Sequence, residues 1–142
     1  MAITQALCTS FKQELMLGDH DLDTDSLKIA LYTSTATLSA ATTAYSATNE
    51  VSGTNYTAGG VALTSASVTV DGTTAILDFD DAVFSEVSIT ARGAVIYNTS
   101  SAINVNAAIA VLDFGADKTA TDGDFTVIFP AAAAATAIVR IA

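Results

Sequence analysis

The stretch AVFSEVSITARGAVIYN, residues 82–98, decides the class of this fold. Val83, Val87, Ile89, Val95 and Tyr97 share one parity along it, and β-branched and aromatic residues are frequent, so the spacing predicts extended chain and not helix. Strands in globular proteins rarely exceed about ten residues, so this one is long. Arg92-Gly93 falls where a bulge or bend would relieve it.

The flanking segments read the same way. Upstream, VALTSASVTV (61–70) and TTAILDFD (73–80) lie on either side of Asp71-Gly72, a pair that favours the type I′ turn of a two-residue hairpin. Downstream, TSSAIN (99–104) turns the chain into VNAAIAVLDFG (105–115). The polar run ADKTATDGD (116–124) reads as a loop before FTVIFP (125–130), where Phe125, Val127 and Phe129 alternate. PAAAAAT (130–136) has too few alanines to hold a helix unaided and reads as a turn or short cap. TAIVRIA (136–142) supplies the last strand.

The N-terminal part differs. Ile3, Leu7, Phe11 and Leu15 recur every four residues, the apolar stripe of an amphipathic helix over residues 3–17, with Gly18 placed to end it. LKIALYTS (27–34) alternates as a strand, whereas residues 35–60 show no sustained period. They read as a long loop with at most one helical turn near Ala41–Tyr45, and loops of that length are often functional. The chain is therefore expected to be one mainly-β domain over residues 1–142: an N-terminal α-helix (1–18), a strand plus long loop (19–60), and the strands of an antiparallel β-sandwich (61–142). A jelly roll is one such arrangement; strand order is not legible at this level.

GDHDLDTDS (18–26) places aspartates at alternate positions before the first strand. As an EF-hand loop it fails in both registers: Thr24 or Ser26 stands where glycine belongs, and Ala30 or Tyr32 where the bidentate glutamate belongs. The expected reading is a solvated junction with His20 a surface histidine and no metal assigned; the alternative is a looser calcium site completed by carboxylates from elsewhere. His20 is the one histidine and Cys8 the one cysteine, too few for zinc, and no nucleophile motif accompanies them. Cys8 is expected to be a buried, inert thiol. Asp78 and Asp80 share a strand face, as an acid–base pair would, but their place at a strand end favours a solvated edge. Asp117, Asp122 and Asp124 are a weak calcium candidate of the same kind. No catalytic residue, metal or cofactor is expected, and the chain is not read as an enzyme.

Composition narrows the partners. Five Lys and Arg against 15 Asp and Glu give a formal net charge of −10, which disfavours nucleic acid and anionic membranes. Only 14% of residues are charged, against roughly 25% in ordinary soluble domains. A surface of small, weakly polar side chains suits a protein packed against copies of itself or a larger shell. The N-terminus lacks a secretory pattern, and no apolar stretch approaches the ~20 residues that span a bilayer, so synthesis in the cytoplasm is expected.

Five blocks together resemble small structural proteins of tailed bacteriophages: MAITQALCTSFKQELMLGDHD, DSLKIALYTSTATL, TTAYSATNEVSGTNYTAGG, ITARGAVIYNTS and AIAVLDFGADKTATDGDFTVIFP. They cover nearly the whole chain. The resemblance implies a virion component that decorates or cements the capsid surface, binding the major capsid protein and copies of itself, with a trimer favoured. The alternative it leaves is a tail, baseplate or fibre module that contacts the host. On this reading Tyr45, Asn55 and Tyr56 in the long loop are candidate contact residues, set against local packing within the monomer. Arg92 is expected to pair with a neighbouring carboxylate.

Overall fold

The computed structural model describes residues 2–142. It is mainly β with one helix, in two antiparallel sheets. In chain order the elements are β1 (Ala6–Leu7), α1 (Thr9–Met16), β2 (Leu27–Tyr32), β3 (Val61–Ala62), β4 (Ser67–Asp71), β5 (Thr74–Asp78), β6 (Ala82–Asn98), β7 (Ala107–Val127) and β8 (Val139–Ile141). The larger sheet has the order β1-β7-β6-β2-β3 and the smaller one β4-β5-β8.

The helix is shorter than the every-fourth-residue spacing predicts. Ala6 and Leu7 pair antiparallel with Val111 and Ala110 on β7, and Ile3 bridges Leu38, so the chain before Cys8 is drawn into sheet edges. Cys8 is therefore the residue before the helix and not part of it; its thiol is buried, and desolvation pushes its pKa up to about 11. At the other end the Asp19 N–H reaches the Glu14 carbonyl and the Gly18 N–H that of Leu15, a Schellman closure around Gly18 at φ 77°.

Residues 82–98 are a single strand, as its composition predicts, but parity does not run unbroken through it. Ala82 and Phe84 are buried and Val83 is exposed, whereas Val87, Ile89 and Ala91 are buried beyond a bulge at Glu86, whose φ is 53°. The bulge moves the apolar set from even to odd numbers. A second irregularity falls at Arg92, as the Arg92-Gly93 pair suggests: Ala91 pairs with Lys118, but Gly93 pairs with Asp113. The extra residues belong to β7.

The expected polar loop at 116–124 is instead the middle of β7, which runs to Val127 beside β6. It has a fixed partner, and both its faces meet solvent over much of that length, so no alternation develops. VALTSASVTV also divides, β3 joining the larger sheet and β4 the smaller. The β4–β5 turn is Gly72-Thr73, because Asp71 pairs with Thr74. Positive φ occurs at Gly72 and not at Thr73, the pattern of a type II′ and not a type I′ turn. Residues 33–60 hold only isolated bridges, with a turn at Ser39–Thr42 in place of a helical one.

One hydrophobic cluster joins these parts: Phe11 from α1, Leu38 and Val51 from the long loop, Ile29 and Ile96 from the larger sheet, Leu77 and Val139 from the smaller. Gly60 fixes how closely the loop approaches. Its φ is 79°, and a Cβ there would lie 1.8 Å from the Ile29 carbonyl oxygen.

Candidate functional site

Two polar clusters hold most of the chain's potential chemistry. The first forms where residues 44–60 return to the larger sheet. Glu50, on an isolated bridge to Tyr32, points its carboxylate at three donors. The Tyr45 hydroxyl donates to Oε2 at 2.7 Å, and the Tyr56 hydroxyl and Gly59 N–H donate to Oε1, each at 2.7 Å. The Tyr56 hydroxyl also accepts the Leu31 N–H at 3.0 Å. The Tyr97 hydroxyl donates to the Gly59 carbonyl and the Tyr32 hydroxyl to that of Ser46, both at 2.6 Å.

All four tyrosines of the chain thus take part in one junction. Tyr45 stacks on Tyr97 with ring centroids 4.8 Å apart, and Tyr56 on Phe84 at 5.7 Å. Burial, with Glu50 adding to it, pushes Tyr45 up to about 12. Burial also raises Tyr32, Tyr56 and Tyr97 above the ordinary phenol value. The cluster is a clasp: it holds neutral phenols against one carboxylate and ties the long loop to β2 and β6.

The second cluster is the junction GDHDLDTDS. His20 is not a surface histidine. Its ring is fully enclosed, 5.0 Å from Phe11, and only its backbone meets solvent. His20 Nε2 lies 3.0 Å from Glu14 Oε1, itself buried. Asn98 donates through Nδ2 to His20 Nδ1 at 2.8 Å and to Asp25 Oδ2 at 2.7 Å, while its Oδ1 accepts the Ser100 N–H at 2.7 Å. With Asn98 oriented in this way, His20 accepts at Nδ1 and donates at Nε2 to Glu14.

Asp19 accepts from the Ser101 hydroxyl and from the N–H groups of Ala102 and Ile103, at 3.0 and 3.2 Å. The Ser101 hydroxyl, opposed by desolvation and helped by those N–H groups, holds its carboxyl below the usual carboxylate range. Asn104 Nδ2 closes the set by reaching Glu14 Oε2 at 3.1 Å and the Thr43 carbonyl at 2.7 Å. Glu14, Asp19 and His20 bring potential ligand atoms within 4.8 Å of one another. Each is already bonded within the chain, so the arrangement works as a lock between α1 and the β6–β7 turn and not as an open coordination shell.

The candidate contact residues are divided among these features. Tyr45 and Tyr56 are half-buried and belong to the Glu50 clasp. Asn55, exposed at φ 61°, donates from Nδ2 to the Glu86 carbonyl at 2.9 Å and so pins the first β6 bulge. Arg92 does pair with a carboxylate, Asp117 Oδ1 at 2.8 Å, across the second bulge; both side chains are partly exposed. The structure brings Tyr45 and Tyr56 together and places Asn55 and Arg92 apart from that pair, on the two bulges.

Four further acidic side chains also hold the chain to itself. Asp122 accepts from the Ser88 hydroxyl at 3.1 Å and Asp124 from the Glu86 N–H at 3.1 Å, both across the β6–β7 pair. Asp80 takes the Ser65 hydroxyl at 2.6 Å and Asp81 the Phe129 N–H at 2.9 Å. Sequence reasoning missed Glu50, Glu14 and Asn98. Glu50 sits in a loop without periodicity, and the partners of Glu14 and Asn98 are remote in the chain.

No protein-family model, no curated protein and no solved structure matches this chain. Among the described residues, no helix is long and apolar enough to cross a membrane.

Proposed function

We propose that this chain is a structural component of a tailed-bacteriophage virion, a decoration protein that binds and stabilises the head shell. The observation that carries the reading is the use made of the ionisable side chains. Glu50, Glu14, His20, Asp19, Asp117, Asp122 and Asp124 all fasten loops, turns or bulges of the same chain. A chain built this way spends its polar chemistry on rigidity. That fits a small part which must keep its shape while many weak contacts hold it to a lattice.

The sequence resemblance supplies the station, the capsid surface, and the partners: the major capsid protein and further copies of this chain, as a trimer. Net charge −10 favours a less negative protein surface over packaged DNA. Epitope labelling of intact particles with electron microscopy tests the reading. Signal spread regularly over the head supports it, and recombinant protein should then sediment as a trimer. Signal confined to the tail would replace it with the host-contact alternative, and particles without signal would remove both.

A further inference from the structure

The smaller sheet has one face made entirely of apolar side chains. Val68, Leu77 and Val139 lie opposite one another in one row, and Val70, Ala75 and Ile141 in the next. Leu77 and Val139 of the first row dip into the core, Leu77 only 2% exposed, while Val68 at their edge is half open; the second row stands open, with Val70 72% and Ile141 50% exposed. The other face is finished differently. Ile76 is buried there, and the 131–137 turn is tied down beside it by an Ala134 N–H to Asp71 Oδ2 bond of 2.7 Å.

Between the apolar face and the end of α1 runs a groove of about 560 Å³, with Leu15 and Leu22 in its far wall and Asp21 and Asp23 on its rim. Met16 and Leu17, both exposed, adjoin the groove-lining Leu15 and Gly18 in sequence. Exposed large hydrophobics therefore gather on the elements around this groove, as they do where a soluble protein meets a partner.

Charge selects the occupant. The groove lining contains no lysine or arginine. Asp21 and Asp23 crowd each other, Asp21 raising the Asp23 carboxyl above its usual range, so a cation brought beside them is welcome. A second copy docked groove to groove would set the same acidic rim against Asp21 and Asp23, and like charges across an interface are costly.

We propose that this groove docks an amphipathic, cationic segment of another protein, its apolar side chains on the groove-lining Val68, Ala75 and Ile141 and on Val70 paired beside Ala75, and its lysines or arginines against Asp21 and Asp23. The inference does not depend on where in a particle the chain resides.

Three synthetic fluorescent peptides of equal length test it: alternating Leu-Lys, alternating Leu-Glu and alternating Thr-Lys. Binding is read by anisotropy, and location by amide shifts in isotope-labelled protein. The Leu-Lys peptide is expected to bind and to move the amides of Leu22, Val70 and Ile141. Asp21→Asn with Asp23→Asn, and separately Val70→Thr with Ile141→Thr, should each weaken it about tenfold without altering the melting temperature. Equal binding of Thr-Lys would reduce the effect to net charge and overturn the proposal. Equal binding of Leu-Glu, shifts confined to other surfaces, or no binding by any peptide would also overturn it. Self-association abolished by Val70→Thr would assign the groove to a second copy instead.

Discussion

In the larger sheet β2 is buried at both parities, with only Lys28 half-buried between Leu27 and Tyr32; in the smaller sheet β4 is exposed along its whole length. Composition separates them only in part, since β4 carries Ser67, Thr69 and Asp71 whereas Lys28 is the one charged residue of β2. Val68 and Val70 are as apolar and as β-branched as the residues that vanish inside β2. The difference lies in what covers each strand. Beside β2 the chain spends residues 33–60 on a cover and clasps it at Glu50. Over the open row of the smaller sheet none of the described residues forms such a cover. Burial here is decided by remote segments and not by the strand itself.

That contrast can be broken from the covered side. Ile29→Ala removes a fully buried side chain where the long loop meets the sheet and should cost about 4 kcal/mol, read by urea unfolding. Gly60→Ala forces a Cβ against the Ile29 carbonyl at an unfavourable φ. It should cost about 3 kcal/mol, with the loss expressed first as faster hydrogen exchange in residues 44–60. Glu50→Ala leaves the donors of Tyr45, Tyr56 and Gly59 without their acceptor and should cost about 2 kcal/mol, whereas Glu50→Gln should recover part of it.

Alkali probes the same clasp without mutation. Tyr45 is raised in the folded state from 10.0 to about 12, so its contribution is whole below pH 10 and fades as pH rises through 12. Loop release in that window should be reduced, and not abolished, in Tyr45→Phe, because Tyr32, Tyr56 and Tyr97 are raised as well. The uncovered side should hardly respond: Val70→Thr, at a site 72% exposed, should change stability by less than about 0.5 kcal/mol. A large loss there would mean that the open row is covered after all.

The class of the fold was legible because β6 and its neighbours carry strand composition, and no local feature competed. Boundaries were less so. Ile3 and Leu7 keep helical spacing with Phe11 and Leu15, yet Leu7 pairs with Ala110 on β7, and edge pairing outweighs a short helix's own preference. The run 116–124 looks like loop because its side chains are polar, but backbone pairing to β6 does not require apolar ones. Val83 falls on the wrong side because one residue at the Glu86 bulge reverses the parity. Of the candidate site, Arg92 does find a carboxylate, but both side chains are partly exposed, so the burial cost that suggested the pair is small there. The environment of His20 was not foreseeable, since Asn98 and the Ser101–Asn104 turn come from a distant hairpin.

The Glu50 clasp has a practical corollary. The chain has no tryptophan, and its four tyrosines all stand at that one junction. Its tyrosine dichroism and its tyrosine emission therefore have a single source. A phenol whose proton is held by a carboxylate emits weakly, so opening of the loop should brighten the protein before the sheets themselves give way. The molecule carries its own optical gauge, set on the hinge between cover and sheet.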